Sequence, residues 1–100
     1  MSDDRTRRYV VAYDIPDDRR RQRVARKLES YGDRVQFSVF LVEVKPARFV
    51  RLRASLERLL QVEDDSLLIV DTGPTRGNAD ARLEFVGRGA QVIRDRAIIL

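Results

Sequence analysis

The run Tyr9-Val10-Val11-Ala12-Tyr13-Asp14-Ile15-Pro16 constrains this chain more than any other stretch. Its β-branched and aromatic residues favour a buried strand over Tyr9 to Asp14. Pro16 has no N–H for a ladder and ends the strand. Asp17 or Asp18 then suits the start of a helix. A strand therefore hands over directly to a helix, with one carboxylate, Asp14, at the strand's mouth. The helix extends to about Tyr31, with Val24, Leu28 and Tyr31 recurring on one face. Gly32 is placed to stop it in the left-handed conformation.

Met1 to Arg8 reads as a polar lead-in. Arg34 to Val44 carries the strongest strand signal, continuous and without a turn residue. Alternation puts Val35, Phe37, Val39 and Leu41 on a core face, and Arg34, Gln36, Ser38 and Phe40 on the other. Pro46 opens a second helix, whose apolar stripe is Phe49, Leu52, Leu56, Leu59 and Leu60. Leu67 to Val70 reads as a central strand, and Asp71 to Asn78 as a loop. Leu83 to Val86 and Ala97 to Leu100 are candidate short strands, and Ala90 to Arg96 is a strand or a helical turn. No repeat or linker divides the chain, so residues 1–100 form one domain.

Composition narrows the chemistry. A chain of 100 residues with 43% hydrophobic content builds a limited core, and association with a second copy is one way to bury more surface. The chain has no cysteine, which excludes a disulfide framework, a thiol nucleophile and a cysteine metal site. It has no histidine, which removes the usual neutral-pH base and the commonest transition-metal ligand. Carboxylates, hydroxyls, arginine or a hard ion bound through oxygen remain. Basic residues outnumber acidic ones 20 to 16, and 18 of them are arginine. Arginine's planar fork suits phosphate, although a surface of ion-pair networks gives the same bias. No apolar run approaches the roughly 18–20 residues that span a bilayer. Nor does the N-terminus carry a signal-peptide core. A cytoplasmic location without a membrane partner is expected.

The motifs have bland readings beside functional ones. Asp14 by position alone reads as a turn-forming residue before the helix. Its alternative is an oxygen ligand for magnesium, which needs a second copy of the chain because one carboxylate is a poor site. The run Arg19 to Lys27 is a solvated helix face, the usual reading of a charge run, or a phosphate-binding face, a reading that its lack of interleaved acids raises. The strip Arg34, Gln36, Ser38 and Phe40 suits an exposed strand, a dimer contact or a nucleic-acid surface. Thr72 to Gly77 lacks the Gly-Lys-Ser/Thr of a phosphate loop.

Four ordered blocks resemble one family. Tyr13-Asp14-Ile15-Pro16-Asp17-Asp18, Arg21-x-Arg23-Val24-Ala25, Tyr31-Gly32 and Arg34-Val35-Gln36-Phe37-Ser38-Val39-Phe40 are similar to the CRISPR-associated protein two family. Glu63-Asp64-Asp65-Ser66 before an apolar strand adds to the likeness. The resemblance implies an α+β, ferredoxin-like fold, βαββαβ plus a C-terminal strand, in a two-fold homodimer. Residues from roughly 80 to 100 would extend the partner's sheet. It implies a magnesium-dependent (or other divalent-cation-dependent) endonuclease of antiviral defence. Such an enzyme cleaves RNA or double-stranded DNA and takes part in spacer acquisition with a CRISPR integrase subunit. The alternative from the same resemblance is a non-catalytic dimeric DNA-binding scaffold for that integrase. Asp14 would be the metal ligand, one from each subunit. Tyr13, Arg21, Arg23, Arg34 and Phe40 match positions tied to nuclease activity, and Ser38 a position near them. Leu41 stands where many members carry an acid, so an auxiliary ligand is missing there. The βαββαβ count also requires Arg34 to Val44 to bend or split.

Overall fold

A computed structural model describes residues 5–75 and 83–87. The first strand, β1 (Arg7–Asp14), buries alternate residues: Tyr9, Val11 and Tyr13 lie within the core. It begins inside the expected lead-in, because Arg8 has a partner across the sheet. Arg8 pairs with Glu43 on the neighbouring strand, and its side chain is buried. Helix α1 (Asp18–Glu29) starts as expected, with the Asp17 carboxylate accepting from the Arg20 N–H at 2.9 Å. Val24 and Leu28 are fully buried from it.

The end of α1 differs from expectation. Ser30 closes it in right-handed geometry, its hydroxyl donating to the Lys27 carbonyl at 2.6 Å. Gly32 has no positive φ and opens the next strand instead. Its lack of a side chain matters for another reason: a Cβ there would lie 2.1 Å from the Leu41 carbonyl oxygen.

The long segment Arg34 to Val44 is two strands. β2 (Gly32–Gln36) turns at Phe37-Ser38 into β3 (Val39–Val44). A register shift between Arg34 and Gln36 adds one residue to β2. Turn and shift together exchange the environments expected for Phe37 and Phe40, while Val35 and Leu41 are buried as expected. Phe37 is 76% exposed, whereas Phe40 is fully buried. No described non-glycine residue has a positive φ. The turn therefore uses ordinary backbone angles, and no Gly or Asn announces it.

Helix α2 (Pro46–Leu59) has Pro46 in its first turn and buries Phe49, Leu52 and Leu56. Leu59 and Leu60 pack against the same core. β4 (Ser66–Pro74) is longer than the expected Leu67 to Val70, taking in residues expected to form a loop. Thr72 is the extra residue of a bulge opposite Arg8-Tyr9, and its hydroxyl donates to the Arg8 carbonyl at 2.8 Å. Gly73, at φ 104°, supplies the left-handed geometry that lets the strand continue past it.

The four strands are antiparallel in the order β2-β3-β1-β4, the ferredoxin-like arrangement. β4 is thus an edge of the described sheet and not a central strand. The helices cover one face, where Val11, Phe40 and Val42 meet Val24, Leu28, Leu52 and Leu56. The other face carries two cross-strand rows, Val39–Ala12–Leu68 and Leu41–Val10–Val70. Leu68 and Val70 on it are 59% and 43% exposed. Residues 83–87 form no strand, correcting the expectation for Leu83 to Val86. Ala90 to Arg96 and Ala97 to Leu100 lie outside the described residues. No helix among the described residues is long and apolar enough to cross a membrane.

Candidate functional site

The mouth of β1 is fixed from three sides. The Tyr13 N–H donates to the Ser38 carbonyl at 3.1 Å, tying the hairpin turn to the end of β1. Arg21 reaches back from α1 and donates to the Ile15 carbonyl at 3.0 Å while pairing with Asp18. Arg20 grips Asp65 through two hydrogen bonds of 2.8 and 2.9 Å. Asp65 also accepts the Gln61 N–H at 2.9 Å. Asp65 immediately precedes Ser66, the residue opposite Asp14 in the sheet. The first turn of α1 therefore anchors both strand ends that flank Asp14.

This clamp has an electrostatic signature. The hydrogen bonds from Arg20, outweighing desolvation, hold the Asp65 carboxyl below the usual aspartate range, and the Gln61 N–H adds to the effect. The same hydrogen bonding raises the Arg20 pKa.

Asp14 is exposed at the end of β1. Its carboxylate has no hydrogen bond or ion pair among the described residues. By strand alternation it points to the face without helices, opposite to Tyr13. No group of three or more acids able to hold a metal occurs among the described residues.

On the helix side, Tyr13, Arg21 and Arg34 line one cavity of about 210 Å³ together with Gln22, Ala25 and Phe37. Arg34 pairs with Glu29 at 3.6 Å, both side chains being well exposed, so this contact is weak and exchangeable. The Arg34 guanidinium lies 5.3 Å from the centroid of the Phe40 ring. Phe40 in turn stacks on Tyr13 at 6.3 Å. Phe40 is thus a buried platform under Arg34 and not a surface group. Arg23 stands apart, lining a second groove with Arg26, Lys27, Ser30 and Leu59.

Three of the six expected site residues therefore share a cavity. Asp14 is adjacent in sequence but on the other face, Phe40 lies beneath, and Arg23 is elsewhere. Sequence reasoning missed Phe37 and Gln22 at the cavity and the Arg20–Asp65 clamp. The two clamp residues are 45 positions apart, so no local spacing reveals them. Phe37 was masked by the unmarked turn.

Comparison with known proteins converges on one group. The model of the family "CRISPR associated protein Cas2" matches residues 7–76. A relative from Synechocystis sp., CRISPR-associated endoribonuclease Cas2 3, is 52% identical over 59 residues, covering 59% of this chain and 64% of its own length. CRISPR-associated endoribonuclease Cas2 1 of Rhodospirillum rubrum is 35% identical over 92 residues, covering 92% of this chain and 89% of that one. Among solved structures, Streptococcus pyogenes Cas2 superposes with a TM-score of 0.67 at 31% identity, covering 80% of this chain and 99% of that one. A chain of a partial Cas6-RT-Cas1–Cas2 complex gives 0.67 at 25% identity, covering 80% and 90%.

Proposed function

The chain belongs to the Cas2 family, and from that premise we propose that it is a divalent-cation-dependent endonuclease acting on RNA or double-stranded DNA as a homodimer. The observation that carries this reading is Asp14: an exposed carboxylate without a partner among the described residues, held at the end of β1 between the Arg21 bond to the Ile15 carbonyl and the Arg20–Asp65 pair at the start of β4. Two of the relatives bear the name endoribonuclease, which supports the same reaction class.

The donor set accounts for the dimer. One carboxylate is too few for magnesium, which takes near-octahedral oxygen coordination from carboxylates, substrate phosphate and water. Two Asp14 carboxylates facing across a two-fold axis, completed by water and phosphate, are a hard-oxygen set that fits it. The open face offers a means of bringing them together. Its rows Val39–Ala12–Leu68 and Leu41–Val10–Val70 are apolar, with Leu41 covered but Leu68 and Val70 exposed on the edge strand, and Asp14 stands at their end. A divalent ion held there supplies Lewis-acid polarisation of a phosphoryl oxygen and a more acidic water.

The remaining residues position and neutralise. Arg34 can exchange its loose contact with Glu29 for a backbone phosphate, to which it binds more strongly. Phe40 holds the Arg34 guanidinium over its ring, and so acts through Arg34. Arg21 is committed to the Ile15 carbonyl and Asp18, so its task is to fix the turn after Asp14. Arg23, Arg26 and Lys27 form a separate strip for more distant phosphates.

A second reading rests on Leu41, the position at which, by the resemblance, many members carry an acid. With that acid absent, a dimeric scaffold that binds DNA and docks a CRISPR integrase needs only the arginines and the open face. The fold's likeness to a chain in a Cas1–Cas2 complex supports that partnership under either reading. Asp14→Ala separates the two. Under the nuclease reading it abolishes magnesium-dependent cleavage and leaves low-salt nucleic-acid affinity intact. Wild-type protein that binds DNA but never cleaves, in any divalent ion, establishes the scaffold instead.

A further inference from the structure

Phe37 has no role in the reading above. It is 76% exposed and contributes little to the core, yet its backbone is held in place. It sits in a two-residue turn whose Ser38 carbonyl is bonded to β1. Beside it lies the cavity of about 210 Å³. That volume is below the roughly 300–1,000 Å³ of pockets for drug-sized ligands, and it suits one flat ring. At its wall the Gln22 carboxamide has no hydrogen-bond partner among the described residues. Arg34 supplies positive charge at the same place.

These groups have one chemistry in common. An aromatic face stacks on any base, and a neighbouring arginine holds the phosphate or extends the stack. A carboxamide both donates and accepts, as the edge of a base requires. In a duplex, both faces and the pairing edge of a base are already occupied. Single-stranded nucleic acid leaves them free. We propose that Phe37 and Gln22 form a seat for one unstacked nucleobase of a single-stranded polynucleotide, Phe37 stacking on its face and Gln22 reading its edge. The seat rests on the reading of the chain as a nucleic-acid-binding protein and names the form of polynucleotide it takes.

The test is equilibrium binding of a short labelled single strand and of the matching duplex, read by anisotropy. Chelator in the buffer keeps cleavage from intervening. Phe37→Ala weakens single-strand binding about tenfold, within the range for loss of one stacked base, and Phe37→Tyr preserves it. Duplex affinity is unchanged by either substitution, and Gln22→Ala alters the preference among bases. Melting curves verify that the variants fold, which the exposure of Phe37 favours. Unchanged single-strand affinity in Phe37→Ala overturns the seat, as does an equal loss for duplex. Conversion of a dimer to a monomer by Phe37→Ala, seen by light scattering, also overturns it and makes the ring a contact between copies. Wild-type protein that binds neither single strand nor duplex removes the nucleic-acid reading itself.

Discussion

Single residues set the tolerances around the mouth of β1. Asp65 is the clearest case, because its side chain is fully covered and its carboxylate holds both a guanidinium and a main-chain N–H. Its folded pKa lies below the ordinary aspartate value of about 3.9. The stability it contributes is therefore complete above that value and is lost as pH falls through the lowered folded value. Asp65→Asn should unfold at lower temperature than wild type at neutral pH. It should also lose less between neutral and strongly acid pH. Thermal melts over that range check both; parallel curves would mean that Asp65 does not titrate with folding. Asp65 shows no regular spacing to Arg20 in the chain, so this bond belongs to tertiary structure alone. Asp17 is the contrasting residue: its cap bond spans three positions, and a local rule was enough to narrow the cap to Asp17 or Asp18.

At the scale of elements, the helices were legible and the sheet's details were not. The α2 stripe of Phe49, Leu52 and Leu56 has helical spacing, and all three are buried. β2 and β3 read as one strand because the turn between them needs no special residue. Alternation then failed beyond the register shift, exchanging the environments expected for Phe37 and Phe40. β4 was misjudged for a similar reason. Its bulge at Thr72 and its glycine resemble loop signals, although the ladder continues beyond them. Gly32 was expected as a left-handed stop for α1, which it is not. The close approach of β2 to β3 at the Leu41 carbonyl, and not a left-handed cap, is what requires it. Gly32→Ala is accordingly expected to destabilise by about 1–3 kcal/mol, the usual cost of forcing atoms into packed space. Urea unfolding at neutral pH measures this. A change below a few tenths of a kcal/mol would show that the hairpin opens freely at that point.

For the whole molecule, the two faces of the sheet divide the work. The face toward the helices holds the core and the cavity, and the other holds Asp14 and the apolar rows. Leu68 tests the open face, since it is 59% exposed on the edge strand. Leu68→Glu should leave the monomer folded, shift the protein to half the mass by light scattering, and reduce magnesium-dependent cleavage with it. A dimer that survives this substitution would place the contact elsewhere. One consequence follows from Tyr13 and Asp14 pointing to opposite sides of β1. Copies joined through their open faces gather their carboxylates inward and leave both cavities looking outward. The assembly is then bivalent. A strand long enough to reach both cavities rebinds at the second before it leaves the first, so its residence time grows with strand length, although no new contact is made. In the proposed dimer, the reversal of direction between two neighbouring side chains would thus make residence time a measure of polynucleotide length.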